Sequence, residues 1–159
     1  MRTRSIFGLS AALVIAAACA HQTTETRADM SWALNQTQSE GLKLVYGEPR
    51  SDNVLVMLSC QPQSGQVEIA ITTSDDATGD VGLTSRQQRV ELTSPVAPTP
   101  IAGVGVVMEM AASTTPTLAA FAQTGDLEVR TAGRTVGAPA RGEDRAMVDD
   151  FFGQCGQPV

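Results

Sequence analysis

Apolar and polar positions alternate at period two through most of this chain, switch to period 3.6 near the C-terminus, and merge into one unbroken apolar run at the N-terminus. The period-two segments predict strands. Leu42 to Tyr46 is one, closed by the turn Gly47-Glu48-Pro49-Arg50-Ser51-Asp52. Asn53 to Cys60 is the densest. Val54, Val56, Leu58 and Cys60 share one face, while Leu55 and Met57 share the other with Ser59. A strand apolar on both faces belongs in the middle of a sheet and is covered twice. Val67, Ile69 and Ile71 then alternate with Gln66, Glu68, Ala70 and Thr72. This predicts a half-buried strand, antiparallel to its predecessor across Gln61–Gly65. After a loop over Ser74–Asp80, Val81–Leu83 and Arg89–Thr93 form shorter strands. Pro95, Pro98 and Pro100 predict an extended, unpaired connector. Ile101 to Met110 is apolar and β-branched, and Gly103 and Gly105 predict a bulge or weak point within it.

The period changes at Thr115-Pro116, a capping residue followed by proline at the first helical position. Leu118, Phe121 and Ala122 fall on one side of this short helix, and Gly125 closes it. A strand with Leu127 and Val129 inward follows and turns at Ala132-Gly133 into Thr135-Val136. The last element is a helix over Gly142–Gln154. Glu143 and Asp144 sit at its positive end, and Val148, Phe151, Phe152 and Cys155 form one stripe. Together these elements predict an α+β domain, a mostly antiparallel sheet of about six or seven strands covered by the C-terminal helix. The alternative is a β-sandwich with a helical appendix.

The N-terminal run has a different meaning. Arg2 and Arg4 precede an apolar stretch from Ile6 to Ala18, and Ala16-Ala17-Ala18-Cys19 follows. This pattern is an export signal, too short and wrongly flanked for a spanning helix. Small residues before cysteine suit the lipoprotein pathway, in which the Cys19 thiol is acylated and becomes the new N-terminus. Ala18-Cys19-Ala20 also suits ordinary signal peptidase, which would release a soluble protein beginning at His21. The chain therefore divides into a signal peptide with a lipobox reading (1–19), a flexible polar tether (20–31) and a single globular domain (32–159). An acylated Cys19 followed by Ala20 rather than aspartate places the protein on the periplasmic face of the outer membrane; otherwise it is periplasmic.

Composition narrows the partners. Apolar residues make up 42% of the chain but aromatics only 4%, with a single Trp32 and a single Tyr46, so the core is aliphatic. The net charge is −6; without Arg2 and Arg4, 9 basic residues face 17 acidic ones, a net of −8. This argues against nucleic acid or an anionic membrane surface as partner.

Chemistry is sparse. The only histidine is His21, outside the domain, so histidine-based acid–base catalysis, triads and His-ligated zinc have no place in the core. No paired-cysteine motif, nucleophile elbow, phosphate loop or dinucleotide fingerprint occurs. Lys43, the only lysine, points to water from a half-buried strand. Asp75, Asp76 and Asp80 lack the spacing of a calcium loop and read as turn residues. We therefore assign no catalytic residue, no metal ligand and no cofactor, and expect no enzymatic activity. Trp32, Tyr46 and Arg50 are residue types that anchor interfaces and form a candidate interface, although the simpler reading has Trp32 plug one end of the core and Tyr46 close a strand. Removing Cys19 leaves Cys60 and Cys155, which end the most apolar strand and the helix stripe on their buried sides. In an oxidising compartment they predict a disulfide.

The order Trp32, Tyr46-Gly47-x-Pro49, an apolar strand ending in Cys60, Phe121-x-x-x-Gly125-x-Leu127-x-Val129 and Phe151-Phe152-x-x-Cys155 resembles small exported proteins of Gram-negative bacteria that carry no assigned activity. The resemblance implies an exported, disulfide-bonded domain and brings no functional residue with it. Two functions stay open. One is a non-enzymatic envelope protein that binds or supports another envelope component, protein or glycan, with contact to the membrane through a lipid on Cys19. The other is a small secreted inhibitor or immunity-type protein directed at an envelope-acting enzyme such as a lysozyme.

Labelled fatty acid should enter the protein and Cys19→Ser should abolish the label; a mature N-terminus at His21 would contradict acylation.

Overall fold

Alternation with apolar residues on both sides of one strand calls for two covering layers, and the chain builds one of them from a second sheet. The computed structural model describes residues 25–26, 29–78 and 80–156. In chain order the elements are β1 (Glu25–Thr26), β2 (Ser31–Thr37), β3 (Gly41–Gly47), β4 (Val54–Cys60), β5 (Gln66–Ser74), β6 (Val81–Ser85), β7 (Gln88–Leu92), β8 (Ala97–Pro98), β9 (Val104–Ala112), α1 (Pro116–Thr124), β10 (Glu128–Thr131), β11 (Arg134–Gly137) and α2 (Glu143–Cys155). One sheet has six strands in the order β2-β3-β4-β5-β9-β8; the other has five, β1-β11-β10-β6-β7. All pairs are antiparallel except β1 with β11.

The α+β expectation holds, with a mostly antiparallel framework and a C-terminal helix. The sheet is divided into two packed layers, as the sandwich alternative supposed. The strands beyond the expected six or seven are pieces whose signal is weak for a physical reason. β1 and β8 have two residues each. β2 is an edge strand whose inward Trp32 and Leu34 alternate with exposed Ala33 and Asn35, too short an apolar pattern to stand out.

Three local expectations are corrected. Ala97 and Pro98 pair with Val106 and Gly105, so the proline segment is not unpaired; β8 is an edge, where the missing proline N–H costs no ladder bond. β9 begins at Val104 and keeps an unbroken register with β5 from Gln66↔Ala112 to Ser74↔Val104, so neither glycine bulges it. Gly103, at φ 77°, makes the turn before the strand. Gly105 is needed for close approach, because a Cβ there would run into the Val96 side chain. Finally, part of the expected tether is ordered. Glu25 and Thr26 pair with Val136 and Gly137, and Met30 is buried. The free edge of β11 offers backbone partners, which polar composition does not reveal. Cys19 and the export signal lie outside the described residues.

The core lies between the sheets and under the helices. Leu42, Leu44, Leu58, Ile69 and Ile71 of the larger sheet meet Leu83 and Val129 of the smaller, all of them fully buried. The two layers are tied where the Thr131 hydroxyl donates to the Thr72 carbonyl, 3.1 Å away. Helix α2 lies on β2 and β3, and α1 on β6 and β7. Thr115 caps α1 without a side-chain bond, leaving Pro116 to set its first turn. Gly125, at φ 70°, ends α1 with its N–H on the Phe121 carbonyl at 2.8 Å. Arg145 adds a bond to the Ala122 carbonyl at 2.5 Å, a cation on the negative end of a helix.

Cys60 and Cys155 form a disulfide with Cα atoms 5.8 Å apart. Beside it, the tight β4–β5 turn presents its amides to α2. Gln63 N–H donates to Gln154 O at 2.8 Å and Gly65 N–H to Cys155 O at 2.9 Å. These satisfy helix-terminal carbonyls that have no partner within the helix. The bond spans 95 positions, for which chain entropy gives roughly 4.5 kcal/mol.

Cys155→Ser should therefore lower the melting temperature markedly, Cys60→Ser by about as much, and the double variant little further. Free thiols at both positions in protein isolated without reductant would contradict this architecture.

Candidate functional site on the outer face of the larger sheet

Pleating sends every second side chain of the larger sheet away from the core, and register decides which of these meet. Ala33 lies opposite Val45, Val45 opposite Met57, Met57 opposite Ala70, and Ala70 opposite Met108. An apolar row thus crosses five adjacent strands on the outer face. Met108 is 45% exposed, and Met110, two positions along β9, is 57% exposed. Ala70 is only 5% exposed although it faces outward, because the longer Met57 and Met108 flank it. Methionine is flexible and polarisable, suited to surfaces that adapt to a partner.

The neighbouring row is polar. Asn35, Lys43, Ser59 and Glu68 stand in register and end at Met110. Lys43, Ser59, Glu68 and Met110 line a shallow groove of about 350 Å³ with Glu40, Gln61 and Gln66. Lys43 Nζ lies 3.1 Å from a Glu40 oxygen, and the Ser59 hydroxyl donates to Glu68 at 3.3 Å. The face therefore combines an apolar strip with a carboxylate-rich border. It is equipped for contact.

The residues singled out in the sequence do not converge. Trp32 and Tyr46 are 3% and 2% exposed, which corrects their assignment to an interface; they are core. They are cross-strand neighbours with ring centroids 5.2 Å apart, and Trp32 is equally close to Phe121. The indole N–H donates to Ala138 O at 3.2 Å and the phenol to Gly137 O at 3.4 Å. Both polar tips thus fasten the larger sheet to the segment leaving β11, as buried Trp and Tyr require. Arg50 is separate and exposed in the β3–β4 loop, at φ 62°. Asp80 turns to Arg130, 3.3 Å away, rather than gathering with Asp75 and Asp76, which are exposed. Cys60 and Cys155 are taken up by their disulfide.

The outer methionines were the residues missed. Their signal was present in β4, apolar on both faces. What the sequence withheld was the register that sets Met108 beside Ala70 and Met57. Among the described residues no helix is long and apolar enough to cross a membrane. Compared with known protein families, curated proteins and solved structures, the chain matches none.

Burial raises the Tyr46 phenol above its ordinary pKa of 10.0, and the carboxylates of Asp144 and Asp29 add to the shift. The folded state thus holds the phenol proton more tightly than the unfolded chain does. This contribution is complete below pH 10 and falls away as pH rises beyond it. Tyr46→Phe should flatten the loss of melting temperature in alkali above about pH 10; an unchanged slope would contradict this.

Proposed function

We propose that this is a non-enzymatic cell-envelope protein that binds another envelope component, protein or glycan, through the outer face of its larger sheet. It is held at the outer membrane by a lipid on Cys19 where that residue is acylated, and is periplasmic otherwise. The observation that carries the reading is the apolar row ending in exposed Met108, with Met110 beside it. Folded soluble domains seldom leave large apolar side chains together in water without a use for them. The disulfide suits an oxidising compartment. The resemblance to small exported Gram-negative proteins points to the same compartment.

The second reading is an inhibitor of an envelope-acting enzyme such as a lysozyme. It draws on the acidity of the chain and on the exposed loop of residues 48–53 around Arg50. A target of that kind is basic, and a loop rather than a sheet face would carry the contact.

Affinity capture from solubilised envelope, followed by mass spectrometry, separates the two. Met108→Asp should remove the co-purifying component, while Arg50→Ala should leave it. Retention by Met108→Asp together with loss in Arg50→Ala would overturn the face reading in favour of the loop. Both positions are exposed, so stability should change by no more than about 0.5 kcal/mol.

A further inference from the structure

Four strand edges terminate the two sheets, and three of them are protected. β1 is two residues long. β8 is two residues long and contains Pro98, with Pro95 and Pro100 on either side. β7 carries Arg89 and Glu91, charges that discourage pairing with another chain. β2 has none of these devices. It is seven residues long, uncharged and free of proline. It pairs with β3 along its whole length, and as the terminal strand of its sheet it has no partner on the other side among the described residues. Such a strand offers a row of backbone N–H and C=O groups to an added strand.

The surroundings of this edge select the occupant. Helix α2, which lies on β2 and β3, exposes Glu143 and Asp150, together with Asp149, which pairs with Arg145 2.6 Å away. Glu40 stands exposed just beyond the end of β2, paired with Lys43, so Glu143 and Asp150 carry most of the local negative charge. The chain as a whole is acidic, at −6. A second copy would bring the same carboxylates against these, an arrangement that like-charge repulsion penalises. A basic segment gains from them. Inward, an added strand would lie beside Trp32 and Leu34; outward, beside Ala33 and Asn35. Alternating side chains therefore fit, with small or apolar residues interleaved with cations.

We infer that β2 is a strand-addition site for an extended, lysine- or arginine-bearing segment of a partner protein, which lengthens the larger sheet by one antiparallel or parallel strand. Backbone hydrogen bonds hold the segment, and the acidic border sets its sign of charge. The site goes beyond the methionine face and stands on a different observation.

The test uses a synthetic peptide of alternating lysine and valine, the same peptide with an N-methylated backbone, and a peptide of alternating glutamate and valine. Each is titrated against the protein isolated after export, with binding read by fluorescence anisotropy and the contact mapped by amide hydrogen exchange. The lysine peptide should bind and protect amides within residues 31–37. N-methylation, which removes the backbone donors while keeping the charge, should weaken binding about tenfold or more. Asn35→Lys, an exposed change on the edge, should weaken it similarly. The glutamate peptide should not bind. Met108→Asp should leave lysine-peptide binding unchanged, so failure of the edge and failure of the methionine face are read separately. Binding that survives both N-methylation and Asn35→Lys is general charge attraction and overturns the proposal, as does no binding at millimolar peptide. Self-association without peptide, with protection at 31–37, would assign the edge to a second copy and overturn the basic partner.

Discussion

The disulfide between Cys60 and Cys155, with the two turn amides beside it, is the constraint on which the rest of the structure depends. It fixes the C-terminal end of α2 to the end of β4, one of the two central strands of the larger sheet. From there one contact leads to the next. α2 sets Phe151 into the core and Phe152 edge-on against Phe121, with centroids 6.0 Å apart. Phe121 meets Trp32, and Trp32 donates across to Ala138 on the way out of β11. One covalent bond thus registers the helix, the larger sheet and the smaller sheet together. The packing matters as much as the crosslink. Val148 and Phe151 are fully buried, worth about 1.5–3 kcal/mol each on the usual scale for such side chains, so α2 is held by both its stripe and its bond.

The same arrangement explains why a face is left over. A strand apolar on both sides needs two covers. The inner face of β4 receives the smaller sheet and α2. The outer face is covered only at one end, where Leu55 packs against the core; farther along, Met57 lies between Val45 and Ala70. The edge at β2 is open for a related reason: α2 covers its inner face but not its outer side. Binding capacity in this molecule follows from where covering layers stop. The Tyr46 phenol, whose pKa burial raises, lies in the core and not on the outer face.

Much of the fold was legible because the physics behind it is local. The Val148, Phe151, Cys155 stripe, the Thr115-Pro116 start and the Gly125 stop are set within a turn or two of helix, and each stands where it was expected. The two-faced β4 and the pairing of Cys60 with Cys155 were readable because alternation, compartment and burial pointed the same way. The division into two sheets was less legible, since it depends on long-range pairing such as Val129 with Leu83. Trp32 and Tyr46 show the limit most clearly. Their residue types suit an interface as well as the core end of the simpler reading, and the position of Ala138 and Gly137 decides between them. The candidate site was hidden for the same reason: Met108 and Met110 are ordinary strand residues until β5 places them beside Ala70 and Glu68.

Native-state amide exchange, in oxidised protein and after mild reduction, tests most directly whether the disulfide registers the whole fold. With the bond intact, the amides of α2 from Val148 to Cys155 should exchange only with the slowest amides of β4 and β5, as one cooperative unit. After reduction, α2 should open separately and exchange much faster than the strands. Fast exchange of α2 in the oxidised protein, or no change on reduction, would contradict the account.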